Sequence, residues 1–226
     1  LDDKIELNRR MAATLEEMAR ALYRSWFVAA LFPDRFGDDG LPEGWEYQKI
    51  GNLCSIKGGK QLPKDRFVDN GSFPVFGGAG QMGMTNETNT DGFVITVGRV
   101  GAYCGNFVAY RGRAWVNNNA SHIIPALQTP PEFLFLALRE LDLTPIKKGA
   151  AQPFISNGDL KDLKTAVPSA QLLGVFNHRV EPILRRIERL QTENQTLAAL
   201  RDTLLPKLMS GELRVGEARD RVEEMA

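Results

Sequence analysis

Residues 176–204 read FNHRVEPILRRIERLQTENQTLAALRDTL, and this stretch decides the architecture. Apolar residues recur in it at intervals of seven, and a second row interleaves with the first; the two rows are Phe176, Ile183, Leu190, Leu197 and Leu204, and Val180, Ile187 and Asn194. A heptad repeat predicts a coiled-coil helix, in which a single polar residue such as Asn194 fixes the register. The helical pattern runs from residue 169 to about 205, which is about 55 Å at about 1.5 Å per residue.

A second set of residues with coiled-coil spacing lies at the start of the chain; we call the positions of such a set a seam. Residues 4–28 show helical periodicity, with seam positions at Asn8, Met11, Leu15, Met18 and Leu22. Two such helices at opposite ends of a globular domain either pair antiparallel with each other or each contact a helix of a partner chain. A third interpretation packs each helix on the domain, which a helix of about 55 Å fits poorly.

Between the helices, the period changes to that of short strands. A linker is expected at 33–42 from its Pro, Gly and Asp content. Five β-rich runs follow, separated by glycine- and asparagine-rich turns, at 73–76, 93–97, 107–110, 115–116 and 122–124. One helix is expected at 131–141, where two prolines precede an apolar stretch. The sequence therefore predicts an α+β fold, with a β-rich domain flanked by two long helices.

The composition of the 226 residues is that of a folded protein, with 43% hydrophobic and 25% charged residues. No apolar run approaches the roughly 18 to 20 residues that span a bilayer, and the N-terminus lacks the pattern of a signal peptide. We therefore expect a soluble, cytoplasmic protein with no membrane partner. The net charge is zero, which argues against a protein that coats nucleic acid by bulk electrostatics, although residues 41–168 are mildly basic.

Motif searches favour no catalytic or metal site. Residues 78–83, GAGQMG, match the dinucleotide pattern GxGxxG, but a polar loop follows them instead of the helix that would face a pyrophosphate. The two cysteines and two histidines lack the paired spacing of a zinc site, and two histidines are too few for most hydrolase designs. We therefore expect neither catalysis nor a metal in this chain.

Short motifs at both ends and in the middle of the chain are specific enough to compare with known families. The helices carry LDDKIELNRR at 1–10, LEEMARAL at 15–22, SWFV at 25–28 and LRDTLLPKLMSGEL at 200–213. The domain between them adds LPEGW at 41–45, FPVFGGAG at 73–80, VGRVG at 97–101, QPFIS at 152–156 and LKTAVP at 163–168. Over about residues 1–215 the chain resembles the specificity subunits of type I restriction-modification enzymes.

The resemblance implies a division of labour. In that family, two target recognition domains each read one half of an interrupted double-stranded DNA site, and two conserved helices form an antiparallel coiled coil that sets the spacing. The helices also dock the modification (methylating) subunits, which use S-adenosylmethionine to methylate adenine N6, while a restriction subunit cleaves. The resemblance therefore implies a specificity component that is not an enzyme and holds no cofactor of its own.

This chain departs from the family in having one recognition domain. The expected parts are a conserved N-terminal helix at 1–32, a target recognition domain at 41–168, a conserved C-terminal coiled-coil helix at 169–215 and a tail at 216–226. The chain thus resembles the C-terminal half of a specificity subunit or a natural half-subunit. Since residue 1 is Leu and a helical pattern already runs there, we expect a piece cut from a longer chain. Two copies could form a homodimer around a twofold axis and read a palindromic site.

Within this interpretation, the domain loops supply the candidate DNA contacts, because Arg, Lys, Asn and Gln match phosphates and base edges. We select Lys60, Lys64, Arg66, Gln81, Arg99, Lys147, Lys148 and Gln152. Arg99 is expected to read a base or approach the backbone closely, since Gly98 and Gly101 flank it. An ion pair with Asp91 or another surface acid is the structural alternative for Arg99.

Two other classes of function stay open. One is a coiled-coil assembly module whose β-rich domain recognises protein rather than DNA, and the other is an enzyme whose site the sequence hides. Sequence-selective, steeply salt-dependent duplex binding favours the DNA reader. Salt-insensitive association with a protein favours the assembly module, and turnover of a substrate favours the enzyme.

Overall fold

The computed structural model describes residues 1–29, 41–214 and 216, and its elements form two compact units. One unit is Leu1–Ala21 with the described residues from Val180 onward, and the other is Leu22–Arg179. The α+β class expected from the sequence is confirmed. The linker expected at 33–42 and the tail expected at 216–226 lie almost entirely outside the described residues, and the expected domain limits stay predictions.

The first unit is a pair of antiparallel helix segments from α1 (Asp2–Tyr23) and α5 (Ala170–Met209). An oxygen of Asp2 lies 2.7 Å from Arg201 Nη1, and Lys4 Nζ lies 3.3 Å from an oxygen of Glu193. The residue number in α5 falls as that in α1 rises, so the two helices are antiparallel. Apolar side chains of both helices are buried in this unit; they include Ile5, Ala19, Val180, Leu184, Ile187, Leu190 and Leu197.

A reversal of the chain ends α5. Gly211 has a φ of +75°, a conformation that favours glycine, and its amide donates to Leu208 O at 3.2 Å. The next bond runs from Leu213 N to Lys207 O at 3.0 Å. The turn returns Leu213 onto Leu204, and both side chains are buried. The helix end is therefore closed by a glycine cap and an apolar contact.

The described strands of the second unit form three sheets. A two-stranded antiparallel ribbon pairs β1 (Glu46–Lys49) with β9 (Lys164–Val167). The largest sheet has four antiparallel strands in the spatial order β2 (Cys54–Gly58), β8 (Ala120–Pro125), β5 (Phe93–Gly98) and β6 (Phe107–Arg111). The third sheet has the order β4 (Gly80–Thr85), β3 (Phe73–Gly77) and β7 (Trp115–Val116), in which β3 and β7 are parallel.

Three α-helices lie wholly within the described part of this unit, namely α2 (Ile50–Leu53), α3 (Pro131–Glu140) and α4 (Asn157–Asp162). Residues 132–138 of α3 are all buried, which is typical of a helix surrounded by the core. Its one buried charge, Glu132, accepts a hydrogen bond from Arg111 Nη2 at 2.7 Å. That ion pair satisfies a carboxylate which would otherwise be costly to bury.

An aromatic cluster forms the base of this core. A single π-helical turn, Arg24–Val28, continues α1 and buries Trp26 and Phe27. The ring of Phe27 lies 4.6 Å from that of Phe176 and 5.3 Å from that of Phe133, both edge to face. Such pairs add about 0.5–1.5 kcal/mol each beyond the burial of apolar area. Phe176, expected from the heptad pattern to be a seam residue, is therefore also a core residue of the second unit.

Candidate nucleic-acid interface

Several loops of the second unit meet around the three asparagines at 117–119. The amide of Lys60 donates to Val116 O at 3.0 Å, and that of Asn117 donates to Phe76 O at 2.8 Å. The amide of Arg99 donates to Asn119 O at 3.0 Å. We call residues 58–60, 77–79, 98–105, 117–119 and 147–154 the loop cluster. These bonds bring segments that are far apart in sequence onto one surface.

Two glycines allow the loops to approach this closely. A Cβ added to Gly59 would lie 2.1 Å from Asn117 O, and one added to Gly98 would lie 2.2 Å from Tyr103 O. Real Cβ atoms do not come so near to backbone oxygens, so any other residue would force the loops apart. The glycine-rich turns seen in the sequence are thus packing requirements of the loop cluster.

The segment 147–154 joins the cluster through backbone bonds. Gly101 N donates to Pro153 O at 2.8 Å, and Phe154 N donates to Lys148 O at 2.8 Å. A third bond, from Ile155 N to Arg99 O, measures 2.9 Å. Three of the candidate DNA contacts, Arg99, Lys148 and Gln152, therefore lie on neighbouring loops, although about fifty residues separate Arg99 from the other two.

Arg99 is held at the centre of the loop cluster. Its side chain is half-buried, and Nη1 lies 3.4 Å from the position that a Cβ of Gly58 would take. The buried Nε has no hydrogen-bond partner among the described residues. Asp91, the expected alternative partner, instead accepts a bond from the amide of Gly92 at 2.7 Å. Among the described residues, Arg99 thus forms no ion pair and its Nε is an unused donor.

The remaining candidates divide into paired and unpaired cations. Arg66 Nη1 lies 2.8 Å from Glu87 Oε1, and Lys148 Nζ lies 2.6 Å from Asp159 Oδ2. The bond from Lys148, with a second from Ser156, lowers the pKa of the Asp159 carboxyl. The exposed candidates that form no ion pair within the described residues are Lys60, Lys64 and Lys147.

Lys64, Arg66 and Gln81 lie beside the loop cluster, along the β3–β4 hairpin. The hydroxyl of Thr85 in β4 donates to Arg66 O at 2.8 Å, which fixes the short turn Lys64–Arg66 against the hairpin. Gln81 is exposed in β4, opposite Phe76, and its Nε2 contacts Met84 Sδ at 3.2 Å. The backbone of Leu62 donates to Asn117 Oδ1 at 3.2 Å and links this segment to the cluster.

Sequence reasoning missed the apolar part of the surface. Val100 is 42% exposed, Tyr103 is 57% exposed and Phe154 is 41% exposed, and all three lie in the loop cluster. Val100 and Phe154 face each other in an isolated antiparallel bridge. A search for basic and amide residues cannot find such side chains. Val100 and Phe154 stand in the motifs VGRVG at 97–101 and QPFIS at 152–156, and Tyr103 follows the first of these by two residues.

His122 was also missed as a part of this region. It is buried in β8, opposite Lys57 of β2, and its Nδ1 has no hydrogen-bond partner among the described residues. Burial lowers the pKa of His122, and the charges of Lys57 and Lys60 lower it further. A pKa below the ordinary value of about 6.5 keeps His122 mostly neutral at pH 7, so this residue adds little to the positive charge of the surface.

The structure distributes the predicted seam residues among three environments. The buried ones are Asn8, Phe176, Val180, Ile187, Leu190, Leu197 and Leu204, and the half-buried ones are Leu15, Leu22, Ile183 and Asn194. Met11 and Met18 are 37% and 49% exposed and lie outside the buried face of α1. Their expected role at an interface between subunits stays a prediction.

Other kinds of site find little support in the part of the chain that the structure describes. It contains no group of three or more His, Cys, Asp or Glu side chains arranged to hold a metal ion. The GAGQMG segment forms the β3–β4 hairpin and is followed by strand, not helix. No helix among these residues is long and apolar enough to cross a membrane.

Comparison with known proteins places these features in a family. Residues 42–200 match the model of the type I restriction modification DNA specificity domain. The chain is 26% identical to the type I restriction enzyme MjaIX specificity subunit of Methanocaldococcus jannaschii, over 96% of this chain and 57% of that protein. It is 25% identical to the HindI specificity subunit of Haemophilus influenzae, over 94% of this chain and 65% of that protein.

The fold comparison agrees. The crystal structure of a type I restriction-modification system S subunit from M. genitalium superimposes with a TM-score of 0.69 at 21% identity, covering 92% of this chain and 57% of the other. The chain thus spans somewhat more than half the length of these relatives. With more than two thirds of its residues inside the match, this chain belongs to the family of type I restriction modification DNA specificity domains.

Proposed function

We propose that this chain recognises a specific sequence in double-stranded DNA, as the specificity subunit or half-subunit of a type I restriction-modification complex. The observation that carries the proposal is the loop cluster, which presents Lys60 and Arg99 from two loops, and Lys147 and Gln152 from a third, on one hydrogen-bonded surface. Membership of the specificity family supports the same conclusion.

The candidate residues suit two different tasks on DNA. Lys60, Lys64 and Lys147 are exposed and form no ion pair in the described part of the chain, which suits contact with phosphates that sets the position of the protein. Arg99 is half-buried and fixed by its backbone, which suits recognition of a guanine edge through two parallel hydrogen bonds. Arg66 and Lys148 would first have to leave Glu87 and Asp159, so we assign them a smaller share.

The chemistry is assigned to partner subunits. In this proposal the methylating subunits hold S-adenosylmethionine and modify adenine, a restriction subunit cleaves, and this chain provides specificity without catalysis. The helix pair is the docking element for the methylating subunits. Because the chain spans 57% of the MjaIX specificity subunit, the second recognition domain would come from a second copy of the chain in a homodimer, or from another part of a longer protein.

The test is selection from a randomised duplex DNA library, with this chain mixed with a candidate adenine-methylating subunit. We expect a short motif, and its repetition in inverted orientation at fixed spacing would support the homodimer as well. Affinity for the selected duplex should fall steeply with salt, and Lys60→Ala should reduce the slope of log K against log salt by about 1. A stable protein complex that enriches no motif would favour the assembly module and contradict the proposal.

A further inference from the structure

The three exposed apolar side chains of the loop cluster are held in place by the backbone. Tyr103 lies between two glycines with positive φ, Gly101 at +74° and Gly105 at +86°. The amide of Gly105 donates to Gly98 O at 2.8 Å, and that of Gly101 donates to Pro153 O at 2.8 Å. The ring is therefore presented to solvent by a loop closed at both ends.

Phe154 is presented in the same way from the neighbouring loop. Its amide and carbonyl both bond to Lys148, at 2.8 and 3.0 Å, and Gly149 at φ +84° turns the chain between them. Rigid aromatic residues give up little conformational entropy when they bind, which makes them effective contacts. Exposure of Tyr103 and Phe154 is thus a property of two hydrogen-bonded loops.

The charge around the two rings favours a polyanion as the binding partner. Lys60 and Lys147 are exposed cations of the same cluster, and Arg99 at its centre forms no ion pair with any residue that the structure describes. The nearby carboxylate Asp159 is already bonded to Lys148 and Ser156. Apolar rings inside a cationic surface suit a DNA groove better than an apolar protein face.

One feature of duplex DNA matches an exposed ring in that setting. In the major groove, base edges carry hydrogen-bond donors and acceptors, and the C5-methyl group of thymine is the apolar group among them. We propose, on the basis of the function proposed above, that Tyr103 and Phe154 contact thymine C5-methyl groups and so specify A·T pairs beside the base contacted by Arg99.

The experiment removes the methyl group from the DNA. The duplex selected by the wild-type chain with the methylating subunit is resynthesised with uracil in place of thymine, one position at a time. We expect affinity to fall about fourfold at each contacted thymine, the loss that corresponds to one apolar carbon. The double variant Tyr103→Ala, Phe154→Ala should bind the thymine and uracil duplexes equally.

Tyr47→Ala is the matched control. Tyr47 is 58% exposed, close to the value of Tyr103, but it lies in the β1–β9 ribbon opposite Ala166. This variant should discriminate thymine from uracil as the wild type does. Thermal unfolding of both variants verifies that the folds are intact.

Each outcome has one meaning. If the wild type selects no motif, the proposed DNA recognition itself fails. If it selects a motif that lacks thymine, or one that tolerates uracil everywhere, the thymine contact is overturned while DNA recognition stands. The contact is equally overturned if the double variant keeps the wild-type preference for thymine.

Discussion

Aromatic residues serve opposite purposes in the interior of the second unit and on its surface. In the interior, Phe27, Phe133 and Phe176 pack edge to face with at most 7% of each side chain exposed. In the loop cluster, Tyr103 and Phe154 are about half exposed, although backbone hydrogen bonds fix their loops. Helices bury the first group and glycine turns display the second. The same residue type therefore stabilises the fold in one place and is kept free for contact in the other.

The largest expected effect is a loss of stability when a buried aromatic ring is removed from the interior. Phe176→Ala should lower the free energy of unfolding by about 3–5 kcal/mol, because it removes a fully buried ring and leaves a cavity. Phe154→Ala should change it by no more than about 0.5 kcal/mol, as expected for a surface position. Urea denaturation of the two variants measures the difference, and equal losses would contradict the distinction.

The next prediction concerns Arg99, on the exposed surface of the loop cluster. Arg99→Ala should weaken binding of the selected duplex by about 1–3 kcal/mol and relax the preference at one base position. Arg66→Ala is the matched control, and it should have the smaller effect because Glu87 already neutralises Arg66. Competition binding with single-base variants of the site measures both quantities. An unchanged base preference in Arg99→Ala would remove Arg99 from base recognition.

The sequence predicted those helices and strands that depend on a local pattern of residues. All five predicted β-rich runs are strands, and the helix expected at 131–141 is α3. β4 was missed because Gly80 and Gly83 resemble a turn, whereas pairing with β3 makes the segment a strand. Ion pairs such as Lys148 with Asp159 could not be foreseen, since they depend on how two turns fold against each other.

The predicted seam of α1 also shows what a local pattern cannot determine, namely which of its residues are buried. A heptad count favours large apolar residues and selected Met11 and Met18, but both are exposed. The buried residues of α1 include Asn8, which the count selected, and Ile5 and Ala19, which it did not, because the helix periodicity of 3.6 residues drifts against a repeat of seven. A small residue such as Ala19 can therefore be buried where the count expects methionine.

Asn8 provides the next prediction, in the helix pair. The residue is 1% exposed, and neither its amide nitrogen nor its amide oxygen has a hydrogen-bond partner among the described residues. An unsatisfied buried amide costs about 1–3 kcal/mol, so Asn8→Leu should raise the free energy of unfolding by an amount in that range. Chemical denaturation measures it.

Asn194→Leu is the control for this change, because Asn194 is only half-buried and its oxygen alone is buried without a partner. A smaller gain is expected there. A loss of stability in Asn8→Leu would mean that the buried amide is satisfied in the folded protein, contrary to the interpretation above.

The smallest expected effect is a pH dependence of stability that arises from His122, which is buried in β8 near Lys57 and Lys60. The pKa of buried His122 is lowered by burial and by Lys57 and Lys60, so the unfolded chain takes up a proton at this residue more readily than the folded one. Stability that is complete above the ordinary histidine pKa of about 6.5 is therefore lost as the pH falls below it. His122→Gln should flatten the decline in stability between pH 7 and 5.

His178→Gln, at an exposed position on α5, should leave the decline unchanged. Because most carboxylates titrate below this range, a decline of wild-type size in His122→Gln would show that another group is responsible.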